Sequence, residues 1–189
     1  MDSQTIFIIR HAEKPAVGGQ SGVDEMGSAD HRSLTPRGWQ RAGAWAELLV
    51  PALTPGALPK PGALFASAPA GSSTGDDEGG SKSRRPLETL TPLAEKLGIA
   101  INLKYTKGDE VTLAQAISQL SGVVLVCWQH EDIVAIATAL QGTSAGLPGK
   151  WPGDRFNVIL KFDRSGGRAS WSFKQIVPIM LSGDKPQPI

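Results

Sequence analysis

IIRHAEKP, residues 8–15, runs an apolar segment directly into an arginine and a histidine. Together with the residues before it, TIFIIR at 5–10, it reads as a strand without polar alternation, the pattern of a strand covered on both faces. Neighbouring residues on a strand point to opposite faces, so Arg10 and His11 can act together only where the strand ends and the chain turns. Ala12 and Pro15 fit such a turn. Charged groups this close to a core need partners or a chemical task.

The rest of the chain supplies matching units. A polar, Gly-rich stretch without period, AVGGQSGVDEMGSADHRS, leads to LTPRGWQRAGAWAELLVPAL. There Thr35 caps a helix, Pro36 suits its first turn, and Trp39, Ala42, Ala46 and Leu49 form the buried stripe. GALFASAP is a second strand. Residues 69–82, rich in Gly, Ser and Asp, have nothing to bury and are expected to form a mobile loop. SRRPLETLTPLAEKLG restarts helix signals at Pro86 and Pro92, which predicts two short segments or a kink. IAINLKY is a third strand, TLAQAISQL a helix with Leu113, Ile117 and Leu120 on one side, and VVLVCW a fully apolar, central fourth strand. QHEDIVAIATALQG runs from a loop into a helix that stops at Gly142. RFNVILKFDRSGGRASWSFKQI alternates about Ser165, Gly166 and Gly167 as a hairpin does. Strands alternating with helices and closed by a hairpin predict one α/β domain over residues 1–189, a three-layer sandwich on a mainly parallel sheet.

At 189 residues the chain can bury a core without disulfides, and its one cysteine rules out an intramolecular bridge. A net charge of +1, with both signs dispersed, leaves no footprint for nucleic acid or a membrane surface. No leader precedes the first strand and no apolar run is long enough for a membrane span, so a cytoplasmic protein is expected. Oligomeric state is not legible.

In a parallel α/β sheet, ligands sit beyond the carboxyl ends of the strands. The first strand ends at Arg10 and His11; the fourth ends at His130, followed by Glu131 and Asp132. Arg84 and Arg85 open a helix just after the second strand, where backbone N–H groups also favour an anion. Histidines, arginines and a helix start at one sheet edge describe a cage for a tetrahedral dianion, most naturally phosphate. A cysteine phosphatase needs an arginine six positions beyond its thiolate, where Cys127 has Ile133, and GTSAGLPGKW lacks the spacing of a nucleotide P-loop. Close His/His or Cys/Cys pairs are missing and arginines repel a cation, so no metal is expected.

Four blocks now resemble the histidine phosphatase superfamily, with its phosphoglycerate mutase-like fold. RHAE (Arg10, His11, Glu13) resembles the Arg-His-Gly signature, and LTPRGWQRA resembles the Leu-Thr-x-x-Gly-x-x-Gln-Ala helix. RPLETL (Arg85, Thr89) resembles the Arg-Ala-x-x-Thr-Ala segment, and VLVCWQHEDI (His130) the second-histidine strand, all in the family's order. The resemblance implies a metal-independent phosphatase that needs no cofactor and acts on a phosphorylated small molecule or phosphoprotein. It makes His11 the nucleophile, with Arg10, Arg85 and His130 on the phosphoryl oxygens. A phosphoglycerate-type mutase and a non-catalytic phospho-ligand or protein-binding module are the alternatives. Ala12 in place of the signature glycine, the missing Ser/Thr and Asn in EKPAVGG, and Trp128 and Gln129 before His130 depart from the mutase pattern and favour hydrolysis.

The general acid has three candidates. Glu110 and Asp109 lie roughly where the mutase-like branch supplies its glutamate, and Glu131 lies where the acid-phosphatase branch places an aspartate. Carboxylates at a helix start also serve as caps, which is the competing role for Glu131 and Asp132. His31 reads as solvated, Trp39, Trp45 and Trp171 as packing residues, Arg37 as a surface group, and Trp128 as a floor for the pocket.

Overall fold

The computed structural model describes residues 3–51, 58–71, 81–165 and 170–189. Six strands form one sheet: β1 (Gln4–Arg10), β2 (Ala63–Ala66), β3 (Ile101–Asn102), β4 (Gly122–Trp128), β5 (Ile159–Arg164) and β6 (Ser172–Ile176), in the order β3-β2-β4-β1-β5-β6. β1 to β4 run parallel, whereas β5 and β6 form the expected antiparallel hairpin beside β1. Part of its connection, residues 166–169, lies outside the described residues, as do residues 72–80 of the loop expected at 69–82; Ala70 N–H donates to the Ser81 carbonyl at the latter's ends. No helix among the described residues is long and apolar enough to cross a membrane.

The helices α1 (Pro36–Leu49), α2 (Arg85–Leu97), α3 (Glu110–Ser118) and α4 (Ile133–Gln141) cover the sheet on both sides. Phe7, Ile9, Leu125 and Cys127 face Trp45, Leu49, Leu90 and Leu93 of α1 and α2. Ile6, Ile8, Val124, Val126 and Trp128 face Leu113, Ile117, Ile133 and Ile136 of α3 and α4. This two-sided burial explains why β1 and β4 show no polar alternation. The architecture is the three-layer α/β sandwich expected from the sequence.

Local capping also follows the sequence. Thr35 Oγ1 accepts the Gly38 N–H at 3.1 Å, and α4 ends where Gly142 turns left-handed at φ 75°. Three expectations change. β3 is confined to Ile101–Asn102 rather than IAINLKY, because this edge strand pairs only with Leu64 and Phe65 and the Asn102 side chain then accepts the Lys104 N–H. The two helical segments around Pro86 and Pro92 are one helix, α2. Pro86 lies in its first turn, where no N–H partner is needed, and packing of Leu90 and Leu93 outweighs the single bond lost at Pro92. Leu120 lies beyond the end of α3 and is exposed, leaving Leu113 and Ile117 to face the core.

Candidate active site

β1 and β4 stop side by side, with Arg10 opposite Trp128, and the His11 N–H then donates to the Trp128 carbonyl at 3.1 Å. That last rung fixes the point where the strand becomes a loop, so Arg10 closes the strand and His11 opens the turn at a rigid edge. The loop is held from α2: Ala12 N–H donates to Thr89 Oγ1 at 2.9 Å, and that hydroxyl donates to the Arg85 carbonyl at 2.7 Å.

Arg10 is fully buried. One terminal nitrogen, Nη1, faces the carbonyls of Pro152, Gly153 and Arg155 at 3.3, 2.6 and 3.4 Å, and the guanidinium lies 4.0 Å from the Phe156 ring centre. Burial pushes its pKa down to about 10, against the opposing pull of Glu131, Glu13 and Asp154, so it remains a cation at neutral pH. Nε and Nη2 are also buried, yet they have no hydrogen-bond partner among the described residues. An unanswered pair of guanidinium N–H groups in a core requires an explanation, because leaving such donors unsatisfied is costly.

His11 is equally enclosed, at 3% exposure. Its Nδ1 lies 2.7 Å from the Ala12 carbonyl oxygen, which can only accept, so Nδ1 carries the proton and Nε2 carries the lone pair. Burial, then the nearby Arg10, push the ring's pKa down to about 3, with Arg85 and His130 acting in the same direction; the Ala12 contact opposes them. The imidazole is neutral at pH 7. A neutral ring among cations, oriented by its own backbone, keeps its electron pair available and can act as a nucleophile.

His130 follows β4 and is half-buried. Burial and then Arg10 lower its pKa, and Glu131 opposes that shift. Its Nδ1 lies 3.0 Å from a Glu131 carboxylate oxygen without hydrogen-bond alignment. Burial tends to raise the Glu131 pKa, but its own backbone N–H, His130, Lys107 and Lys14 outweigh it and hold the carboxyl below its ordinary range. Glu131 also couples to Arg10 and Arg85, which places it among the cations.

Arg85 joins the group in a double role. Its charge acts on His11, while Nε, Nη1 and Nη2 donate to the Ser33 carbonyl, Ser83 Oγ and the His31 carbonyl at 3.2, 3.3 and 2.6 Å. Each terminal nitrogen carries a second hydrogen, so bracing the 31–33 loop leaves donors over. Arg84 instead pairs with Glu88 at 3.4 Å. The structure therefore brings Arg10, His11, Arg85, His130 and Glu131 together. Glu110 is engaged elsewhere: its Oε1 accepts the Trp128 indole N–H at 2.9 Å and the Gly108 N–H at 3.1 Å. Asp109 accepts the Thr106 N–H and shapes the turn before α3. The His31 side chain is exposed, as expected.

Several supporting residues escape sequence reasoning. Glu13 is gripped by Arg41, whose Nε and Nη2 donate to its carboxylate at 2.8–3.0 Å, and Arg41 in turn clasps Asp184 at 2.7 and 3.1 Å. Gly38 permits this approach, since a Cβ there would lie 2.6 Å from the Glu13 carbonyl oxygen. Arg37 is not a free surface group: it donates to the Ser182 carbonyl and approaches Glu13 at 3.3 Å. Gln129, next to His130, is buried with its amide nitrogen on Ser67 Oγ and its oxygen without a hydrogen-bond partner among the described residues. Only the oddity of a long polar side chain before His130 signalled it. Cys127 is enclosed in the core and its thiol is pushed well up by burial, which suits a packing residue.

No protein-family model and no curated protein sequence matches the chain. Solved structures do. The mycobacterial glucosyl-3-phosphoglycerate phosphatase in complex with VO3 is similar with a TM-score of 0.53 and 14% identity, over 92% of this chain and 97% of that one. A candidate α-ribazole-5′-P phosphatase from Escherichia coli is similar with a TM-score of 0.51 and 13% identity, over 93% and 96%. A candidate phosphohistidine phosphatase SixA from Agrobacterium tumefaciens gives 0.49 and 15%, over 92% and 97%. The chain therefore shares its fold with the first two of these phosphatases.

Proposed function

We propose that the protein is a phosphatase that hydrolyses a phosphomonoester or phosphoprotein through a phosphohistidine on His11. The observation that carries this reading is the pairing of a neutral, oriented His11 with the buried, unanswered Nε–H and Nη2–H of Arg10. Two adjacent guanidinium donors form a fork that matches two oxygens of one phosphoryl group. Likeness of fold to phosphatases supports the same reaction class.

In this reading His11 Nε2 attacks phosphorus, the ester oxygen leaves with a proton, and water then attacks the phosphohistidine to release phosphate. Arg10, Arg85 and His130 hold the equatorial oxygens while negative charge spreads over them. Glu131, already ionised and beside His130, is placed to take up a proton once a dianion enters, because added negative charge raises a carboxyl pKa. Glu110 remains the alternative acid and would have to exchange its bond from Trp128 for one to the leaving group. Neither step calls for a metal or cofactor. The lone cysteine, buried at Cys127, fits a reducing compartment, and the reading takes the cytoplasm as its setting.

Rapid mixing with a substrate labelled in its phosphoryl group, followed by an alkaline quench, is expected to leave label on the protein that acid removes. His11→Ala is expected to abolish both label and turnover. Turnover by a folded His11→Ala protein at the wild-type rate would refute the mechanism.

A further inference from the structure

The loop that braces Arg85 is itself docked on α2 by a buried carboxyl. Glu88 lies one helical turn beyond Arg84 and is fully enclosed, as is Ser33. Glu88 Oε2 accepts the Leu34 N–H at 2.8 Å, and Oε1 lies 2.5 Å from Ser33 Oγ. On its other side the same hydroxyl lies 2.7 Å from Asp30 Oδ2. A serine hydroxyl carries one hydrogen to donate and can also accept. With both carboxyl groups ionised, one of these two short contacts would set bare oxygen lone pairs against each other. A second proton is therefore bound in the Glu88–Ser33–Asp30 chain.

Asp30 is a poor host for that proton. Its Oδ1 accepts the Arg32 N–H at 3.0 Å, its side chain reaches solvent, and the Arg32 N–H, the Ser33 hydroxyl, His31 and Arg84 hold its pKa below the ordinary value. Glu88 is the opposite case. Burial raises its pKa and Asp30 pushes the same way, while the Ser33 hydroxyl, the Leu34 N–H and Arg84 oppose the shift without reversing it. The charged groups facing it are Asp30, Arg85 and Arg84, whose half-exposed guanidinium lies 3.4 Å from Oε1.

We infer that Glu88 is a protonated positioning residue: its carboxyl O–H donates to Ser33 Oγ, whose own hydrogen goes to Asp30, and this chain holds the 30–34 loop where its carbonyls orient Arg85. Those carbonyls belong to His31 and Ser33, on either side of Arg32, whose carbonyl accepts the Arg84 N–H. Raising the pH removes the Glu88 proton, leaves two anions on one hydroxyl and loosens the brace on Arg85. The stabilisation is complete below the ordinary carboxyl value and is lost as pH rises through the raised value of the folded state. Its effect on turnover rests on the phosphatase reading, whereas the proton itself does not.

In Glu88→Gln the amide N–H can donate to Ser33 Oγ while the amide oxygen accepts the Leu34 N–H, at every pH. Infrared difference spectra of the wild type against this variant at about pH 6, above the ordinary carboxyl value of about 4.3, should show the C=O stretch of a protonated acid. Absence of that band would overturn the inference. As pH rises further, the wild-type Tm should fall relative to that of Glu88→Gln. A variant that does not fold, or is the less stable protein throughout, would show that Glu88 serves as an ionised partner of Arg84 instead. Sulfate, a tetrahedral dianion of constant charge over this range, probes Arg85 without turnover. In calorimetric titrations its affinity should fall about tenfold further with rising pH in the wild type than in Glu88→Gln, the worth of one hydrogen bond to a charged group. Ser33→Ala should bind sulfate at about pH 6 as weakly as the wild type does in alkali. The same pH dependence in all three proteins would refute the positioning role. For an aryl phosphate, kcat/KM should decline with the wild-type sulfate affinity and be rescued in Glu88→Gln. If no ester is turned over, the phosphatase reading fails by itself, and the infrared and sulfate measurements still decide the role of Glu88.

Discussion

Enclosing a histidine so completely links folding stability to pH in a way that can be isolated. His11 has a pKa of about 3 in the folded protein and the ordinary value of 6.5 once unfolded. Between these values the unfolded chain binds a proton that the folded chain refuses. The stabilisation is therefore complete above pH 6.5 and is lost progressively as pH falls towards 3. At about 1.36 kcal/mol per pH unit, the full interval amounts to roughly 5 kcal/mol, and lowering the pH from 6.5 to 5 costs about 2 kcal/mol. For a chain of this length that is a fall in Tm of about 4–8 °C. Other groups titrate too: His130, also lowered, adds to the loss, whereas Glu88, raised by burial, opposes it. The informative quantity is the difference between wild type and His11→Asn, whose side-chain amide can still donate to the Ala12 carbonyl. Urea denaturation at pH 7, 6 and 5 should show the wild type losing about 2 kcal/mol more than the variant. Identical pH dependence in the two proteins would refute the reasoning, because it would mean that His11 gains a proton in the folded state as readily as in water.

Two further outcomes follow from the site. Arg41→Ala removes the buried cation between the partly buried carboxylates of Glu13 and Asp184, which keep only Arg37 and backbone N–H donors, so chemical denaturation should show a loss of about 3 kcal/mol. Glu131→Gln and Glu110→Gln, assayed on an activated aryl phosphate and on an alkyl phosphate, should separate the acid from its alternative: the true acid's variant loses roughly 10²–10⁴-fold on the alkyl ester and little on the aryl ester. Loss confined to Glu131→Gln is expected, and loss confined to Glu110→Gln would reassign the role.

The layered fold was legible because β1 and β4 carry unbroken apolar runs, and a strand buried on both faces admits few architectures. Arg10, His11 and His130 could be named because each sits at or just past a strand end, where sequence position fixes spatial position, whereas Arg85 was separated from Arg84 only by its family-like spacing to Thr89. The carbonyl contacts of Pro152, Gly153 and Arg155 with Arg10 could not be read, since they use backbone atoms of an irregular loop that any residue would supply. The Glu13–Arg41–Asp184 chain was hidden for a different reason. Arg41 looks like an ordinary polar residue of an amphipathic helix, and only its distant partners make it a buried one. Pro92 misled because local propensity argues for a break that tertiary packing overrides.

The position of β1 in the sheet has a consequence for how the protein is made. It is synthesised long before both of its neighbours, β4 and β5, which begin only at Gly122 and Ile159. At ribosomal speeds of about 5–20 residues per second, Ile6 to Ile9 wait on the order of ten seconds before a pairing strand exists. During that interval an apolar edge with free N–H and C=O groups is open to any other nascent chain, which makes it a natural client for a chaperone. The pocket cannot assemble before then either, because Arg10 finds its carbonyl partners only when residues 152–155 arrive.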